Sequence, residues 1–266
     1  MAPTVAELAE DTAVHLLPRP AFEMVERDGF VFEAGRHRAS VQRLRLGDVQ
    51  GAVAWAREEC ARRGIGRCEW WVGWSATPED LAQQLLGLEL VPDDEEPTLT
   101  GMSIDREPPA ASHVAVRRIE TIDEQLAALE EVDWDVWGLS EDARASRRAH
   151  ERERFDPQGT VHHFAVYDGD RPVGFGRAID MDAGVALMGG AVLPAARGRG
   201  VYRALVHARW EHAVARDTPL LVVQAGHMSE PVLTGLGFES HGVLRLLMDP
   251  GVASRHGDDR DEHRAG

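Results

Sequence analysis

The strongest constraint on this chain is the run Val192-Leu193-Pro194-Ala195-Ala196-Arg197-Gly198-Arg199-Gly200-Val201-Tyr202-Arg203-Ala204-Leu205. Before it, Val185 to Leu193 is almost wholly apolar, as in a strand buried on both faces. Gly189-Gly190 inside that strand predicts a bulge or a close approach to its backbone. After it, Val201, Leu205 and Ala208 form one apolar stripe, and Val206, Trp210 and Val214 a second, which predicts a well-buried helix to about Arg216. Pro219 to Gln224 reads as another buried strand. Strand, crossover helix and strand make a βαβ unit, and therefore a parallel pair.

The turn between that strand and that helix carries the chemistry. Glycines let a backbone approach an anion, a helix start presents unpaired N–H groups, and the helix dipole adds partial positive charge. Arg197 and Arg199 add full charges, so the loop suits a phosphate or pyrophosphate. It lacks the Lys-Ser or Lys-Thr of a P-loop. Arg203 stands where a dinucleotide fingerprint needs its third glycine.

The surrounding pattern extends this unit. Ile122 to Val132 and Glu141 to Phe155 have helical spacing. Val161 to Tyr167 and Pro172 to Ile179 flank Asp168-Gly169-Asp170, a hairpin signal because glycine supplies positive φ. Ser229 is placed to cap a last helix ending at Leu236-Gly237-Phe238, and Val243 to Met248 reads as a closing strand.

In this order of elements the chain resembles the GNAT superfamily of N-acetyltransferases. The family signature [QR]-x-x-G-x-[GA], after a strand ending V-x-P, reads here as Arg197-Gly198-Arg199-Gly200-Val201-Tyr202 after Val192-Leu193-Pro194. The resemblance implies an α+β fold: a mixed sheet with splayed parallel strands, flanked by helices. It implies acetyl-CoA as acyl donor. Gly190, Ala191 and Val192 would pair with its pantetheine arm, and the backbone N–H groups of Arg197, Gly198, Arg199, Gly200, Val201 and Tyr202 would hold its pyrophosphate. A backbone N–H near Val192 would polarise the thioester carbonyl. Two positions depart from the family pattern. Tyr202 replaces the final Gly or Ala, and Leu233 stands where many members carry a tyrosine that protonates the leaving thiolate.

The first 105 residues echo the same architecture. A strand from Ala39 to Leu46, a helix from Gln50 to Arg63, the strand Glu69 to Trp74 and a helix starting at Thr77-Pro78 follow one another. The link Gly47-Asp48-Val49 has no glycine-arginine cradle. The expected organisation is a degenerate GNAT-like domain over 1–105, a proline-containing linker over 106–113, a GNAT-like domain over 114–249 and a disordered tail over 250–266, hence two tandem units.

Catalysis of amine acylation needs a base. The candidates are His163, with His162 beside it on one strand, and His227 and Ser229 just past the second parallel strand. Gln224 ends that strand. Glu130, Glu131 and Asp133 precede Trp134 and Trp137, and acids with tryptophans suit a cationic amine, although a solvated helix end gives the same pattern. No spacing matches a zinc or calcium site, so no metal is expected.

A net charge of −16 opposes general nucleic-acid binding and favours cationic partners. Cys60 and Cys68 are too few for a disulfide framework. No signal-peptide pattern opens the sequence, and no apolar run approaches the roughly 18 residues of a membrane span. The expectation is a cytoplasmic monomer or homodimer acetylating a small-molecule or peptide amine. The alternative is a non-catalytic acyl-CoA-binding module.

Overall fold

The computed structural model describes residues 2–19, 21–111, 113–136, 138–156 and 158–252. Trp137 and the tail from 253 onward lie outside the described residues. The described chain falls into two compact units, one of residues 2–103 with 223–252 and one of residues 104–222.

The first unit opens with helix α1 (Val5–Glu10), whose Thr4 and Glu7 form a reciprocal capping box. Strands β1 (Glu23–Arg27), β2 (Phe30–Ala34) and β3 (Arg38–Gln42) are antiparallel neighbours. Helix α2 (Val49–Arg63) crosses over to β4 (Arg67–Val72), which pairs parallel with β3. Helix α3 (Leu81–Gly87), the short β5 (Val91–Pro92) and β6 (Thr98–Ile104) follow. One buried face of α2, with Val49, Val53, Ala56 and Cys60, packs on Phe32, Val41, Cys68 and Trp70. Both cysteines are free and buried.

In the second unit, β7 (Val116–Arg118) leads to α4 (Ile122–Ala128), which continues as a π-helical turn over Leu129–Asp133 and a short α5 (Trp134–Val136). Helix α6 (Glu141–Arg154) is capped by Ser140. Strands β8 (Val161–Asp168), β9 (Arg171–Met181) and β10 (Gly184–Val192) form an antiparallel meander, and β7 extends it beyond β8. Helix α7 (Val201–Ala215) crosses to β11 (Leu221–Ala225), and β10 and β11 are parallel through Val185–Leu221 and Ala186–Val222. The expected βαβ unit, hairpin and bulge are all present. The register of β10 on β9 shifts between Met188 and Gly190, and Gly189 takes φ +53°.

Helix α8 (Glu230–Gly235) and strand β12 (Glu239–Met248) belong to the first unit, where β12 lies antiparallel between β4 and β6. Three local expectations are corrected. The helix expected at Thr77-Pro78 starts at Leu81, because the Thr77 backbone is engaged elsewhere: its N–H bonds Leu44 O at 3.1 Å and its carbonyl accepts Leu46 N–H at 2.8 Å. Val214 is 47 % exposed, so the second stripe stops at Trp210, whereas Arg209 and Ala213, which belong to neither stripe, are buried. Ser229 occupies the N-cap of α8 without capping it; its hydroxyl donates backward to Gly226 O at 3.2 Å. Among the described residues no helix is long and apolar enough to cross a membrane.

Candidate functional site

The parallel ladder between β10 and β11 ends at Ala186–Val222, so β10 runs on past that pair with its backbone free of this ladder from Leu187 to Val192. Beyond it, a single 3-10 turn (Pro194–Ala196) reverses the chain into Arg197-Gly198-Arg199-Gly200. Gly198 and Gly200 take φ of +75° and +82°, in the left-handed region that disfavours side chains. Gly200 is the N-cap of α7, which has no side-chain cap. The first helical bond runs from Ala204 N–H to Gly200 O at 2.9 Å, and this leaves the N–H groups of Val201, Tyr202 and Arg203 facing outward from the helix start. Such an arrangement receives an anion.

The corresponding helix start in the first unit differs in one decisive way. Asp48, the N-cap of α2, places its own carboxylate on the Gly51 N–H at 2.9 Å. A built-in anion already occupies that helix end.

Arg197 and Arg199 are exposed. Arg197 Nε donates to Val192 O at 3.2 Å, and Arg199 pairs with Asp168 at 3.1 Å with both side chains about 60 % exposed. A surface pair of this kind contributes at most about 1 kcal/mol and exchanges readily. The His113 ring lies 3.2 Å from Arg199 O; a carbonyl only accepts, so this ring nitrogen is the protonated one. Ala111 and His113 also pack against Gly200, where a Cβ would approach the Ala111 methyl to 3.2 Å.

Tyr202 does not crowd the loop with its side chain. Its ring turns under β10, and a Cβ on Gly190 would fall 2.9 Å from it. Next to the phenol lies Arg209, 1 % exposed, with its guanidinium against Gly176. Arg209 donates to Leu205 O at 2.9 Å and Arg177 O at 3.2 Å, while Nη2 has no hydrogen-bond partner among the described residues. Burial pushes the Arg209 pKa down and the Tyr202 pKa up, and the two groups favour each other's charged forms.

On the opposite face of β9 stand Phe175 and Arg177. His163 stacks on Phe175 at 5.7 Å, and burial first, then the charge of Arg177, pushes its pKa down to about 3. Its imidazole is therefore neutral at pH 7 and only weakly basic. Arg177 reaches Asp133 at 3.5 Å; Asp133 is 1 % exposed on the π-helical turn. Of the other acids in that segment, Glu130 pairs with Arg148 at 2.6 Å and Glu131 with Arg171 at 2.9 Å, and Trp134 is buried. The π turn, the bulge and the Arg177–Asp133 pair thus share one unit, and π turns recur at functional sites.

The remaining candidates lie in the other unit. His227 is exposed and paired through Nδ1 with Glu96 at 2.9 Å. Gln224 donates to Glu10 O at 2.7 Å. Leu233 is fully buried.

A network that sequence spacing did not suggest joins His162, Asp180, His212 and Arg216. Asp180 accepts from His162 Nε2 at 2.9 Å, His212 Nε2 at 2.8 Å and Arg216 at 2.7 Å. Arg118 donates to His162 Nδ1 at 2.7 Å, which fixes that ring's tautomer with its proton on Nε2. The three metal-type ligands come within 4.8 Å of one another. A metal on Nε2 would require a proton on Nδ1, facing a guanidinium that cannot accept it, so the cluster is built as a hydrogen-bond hub. Burial raises the Asp180 pKa, but the bonds from His162 and His212 outweigh that and hold its carboxyl below the usual range.

The sequence profile of the acetyltransferase (GNAT) family matches residues 125–238. No curated protein sequence matches the chain. Among solved structures, a GCN5-related N-acetyltransferase from Kribbella flavida is similar over 94% of this chain and 97% of its own, at 16% identity and TM-score 0.66. A functionally unknown conserved protein from Staphylococcus epidermidis is similar over 88% and 96%, at 10% identity and TM-score 0.65. A tandem GNAT protein from the clavulanic acid biosynthesis pathway is similar over 97% and 90%, at 16% identity and TM-score 0.59. These likenesses establish the fold, a mixed sheet flanked by helices as in GCN5-related N-acetyltransferases.

Proposed function

We propose, for a chain whose residues 125–238 match the acetyltransferase (GNAT) family, that the protein transfers an acetyl group from acetyl-CoA to an amine. The observation that carries this reading is the uncapped start of α7 behind Gly198 and Gly200, at the end of a strand that leaves its parallel neighbour after two pairs. The Arg197 N–H is taken up by Pro194 O at 3.3 Å, so the N–H groups of residues 198–203, in place of Arg197 to Tyr202, bind the pyrophosphate together with the side chains of Arg197 and Arg199. The backbone of Gly190, Ala191 and Val192 pairs with the pantetheine arm, and a backbone N–H near Val192 takes the charge that develops on the thioester oxygen.

The attacking amine approaches as a neutral base. Its nitrogen forms the C–N bond, the C–S bond breaks, the nitrogen gives up a proton and the thiolate gains one. His163 at about 3 is too weak a base for much of this proton transfer, so the proton passes to water. The rate then rests on holding the two reactants together. The face bearing Arg177, Asp133 and the π turn is the acceptor side.

A second reading, an acyl-CoA-binding module without transferase activity, is favoured by one observation: the position of the family's tyrosine is the buried Leu233. Both readings share a test. Coenzyme A should bind with a micromolar-range Kd, and Arg197→Glu with Arg199→Glu should weaken it at least about tenfold, or 1.4 kcal/mol. Unchanged affinity would remove the cradle assignment. Thiol release from acetyl-CoA over an amine panel separates the readings: release means a transferase, and silence across the panel means the module.

A further inference from the structure

The first unit contains a cavity of about 530 Å³ whose wall includes Asp11, His15, Arg43 and Arg45. Three observations meet there. Asp11, at the end of α1, is 6 % exposed; one carboxylate oxygen accepts the Arg43 N–H at 3.1 Å, and no other hydrogen bond reaches that carboxylate from the described residues. Arg43 itself holds φ +53°, a conformation that non-glycine residues seldom adopt and that is concentrated at functional sites. The His15 ring borders the same space and makes no hydrogen bond to the described residues. Burial, and then the charge of Glu10, pushes Asp11 up to about 6, while burial, and then Arg43, pushes His15 down. Groups perturbed by burial and by a named charge, gathered in one cavity, are the pattern of a ligand site.

The charges on the wall select the ligand. A simple cation would meet Arg43 and Arg45; a simple anion would meet Asp11 and Glu7. Most of these groups are already engaged: Glu7 caps α1, and Arg45 bonds Leu44 O and Ser75. Among the described residues Arg43 pairs only with Glu26, which is 76 % exposed, and so weak a pair yields to a buried partner. We propose that this cavity binds a small zwitterion of the amino-acid type, with its ammonium on Asp11 and its carboxylate on the Arg43 guanidinium. The site stands apart from acyl transfer. Asp48 fills the anion position at the start of α2, and Thr77 bonds across residues 44–46 where a parallel pair would otherwise open. It is a binding site and not a second transferase centre.

The test uses the full chain and the twenty L-amino acids, read by calorimetry and by ligand-observed NMR. Any that binds is compared with its methyl ester and its des-amino acid. At least one should bind with a Kd on the order of 1 mM or tighter, and each comparison compound about tenfold more weakly. Asp11→Asn keeps the acceptor for Arg43 N–H and should lose the amino acid by about tenfold, with coenzyme A affinity unchanged as evidence of intact folding. Arg43→Gln provides the second variant and should weaken the carboxylate end alone, so that the ester is no longer discriminated. No binding at 10 mM (roughly −2.7 kcal/mol), equal binding of ester and parent by the wild type, or unchanged affinity in Asp11→Asn would overturn the proposal.

Discussion

At the scale of single residues, His163 shows how burial sets chemistry. Its pKa of about 3 lies below the ordinary histidine value of 6.5, so the folded chain binds fewer protons than the unfolded chain between those values. Its contribution to stability is complete above pH 6.5 and is lost as pH falls toward 3. Wild-type protein should lose about 1 kcal/mol between pH 6.5 and 5 that His163→Gln does not lose, measured by denaturant unfolding at each pH. Parallel pH profiles in the two proteins would contradict this. Asp11 carries the opposite sign. Its folded pKa of about 6 exceeds the unfolded value of 3.8, so protonation favours the fold and stability falls as pH rises from 3.8 through 6. Asp11→Asn should therefore stabilise the chain at pH 8 by about 1–2 kcal/mol, an advantage that fades below pH 5.

At the scale of elements, α7 and β10 are coupled through a contact the sequence half disclosed. The glycine pair in β10 and the glycine loop before α7 were legible because both depend on local backbone conformation: Gly189, Gly198 and Gly200 each take positive φ. The direction of the bulky Tyr202, toward the pyrophosphate or away from it, was not legible, since no local rule tells which way a side chain at the second helical position turns. In the fold it turns under Gly190, and α7 adds the buried Arg209 beside it. Gly190→Ala should cost about 1–3 kcal/mol by driving a methyl into the ring. Tyr202→Gly in the same chain should recover most of that loss, and a double-mutant cycle on unfolding measures the coupling. Additive losses would mean that the ring does not fill this space.

At the scale of the whole molecule, the signals that sequence carries decline with the separation of the partners. The βαβ unit of α7 was readable because its strands and crossover are contiguous. The place of β12 between β4 and β6 was not, because it brings residues 239–248 beside residues 67–72 and 98–104. The hub on Asp180 failed for the same reason: its histidines lie 18 and 32 positions away, on β8 and α7, while Asp180 itself is on β9. In the first unit the succession of β3, α2 and β4, with β3 and β4 parallel, was readable for the same reason of contiguity. What the sequence did not disclose is that Asp48 turns its carboxylate onto the helix start.

That difference between the two helix starts leads to the most direct measurement, a crystal structure of the chain grown with saturating coenzyme A. One molecule per chain is predicted, its pyrophosphate within hydrogen-bonding distance of the N–H groups of residues 198–203 and its pantetheine arm along Gly190 to Val192. Pyrophosphate density at the start of α2, or coenzyme A bound away from the Arg197–Gly200 loop, would contradict the account.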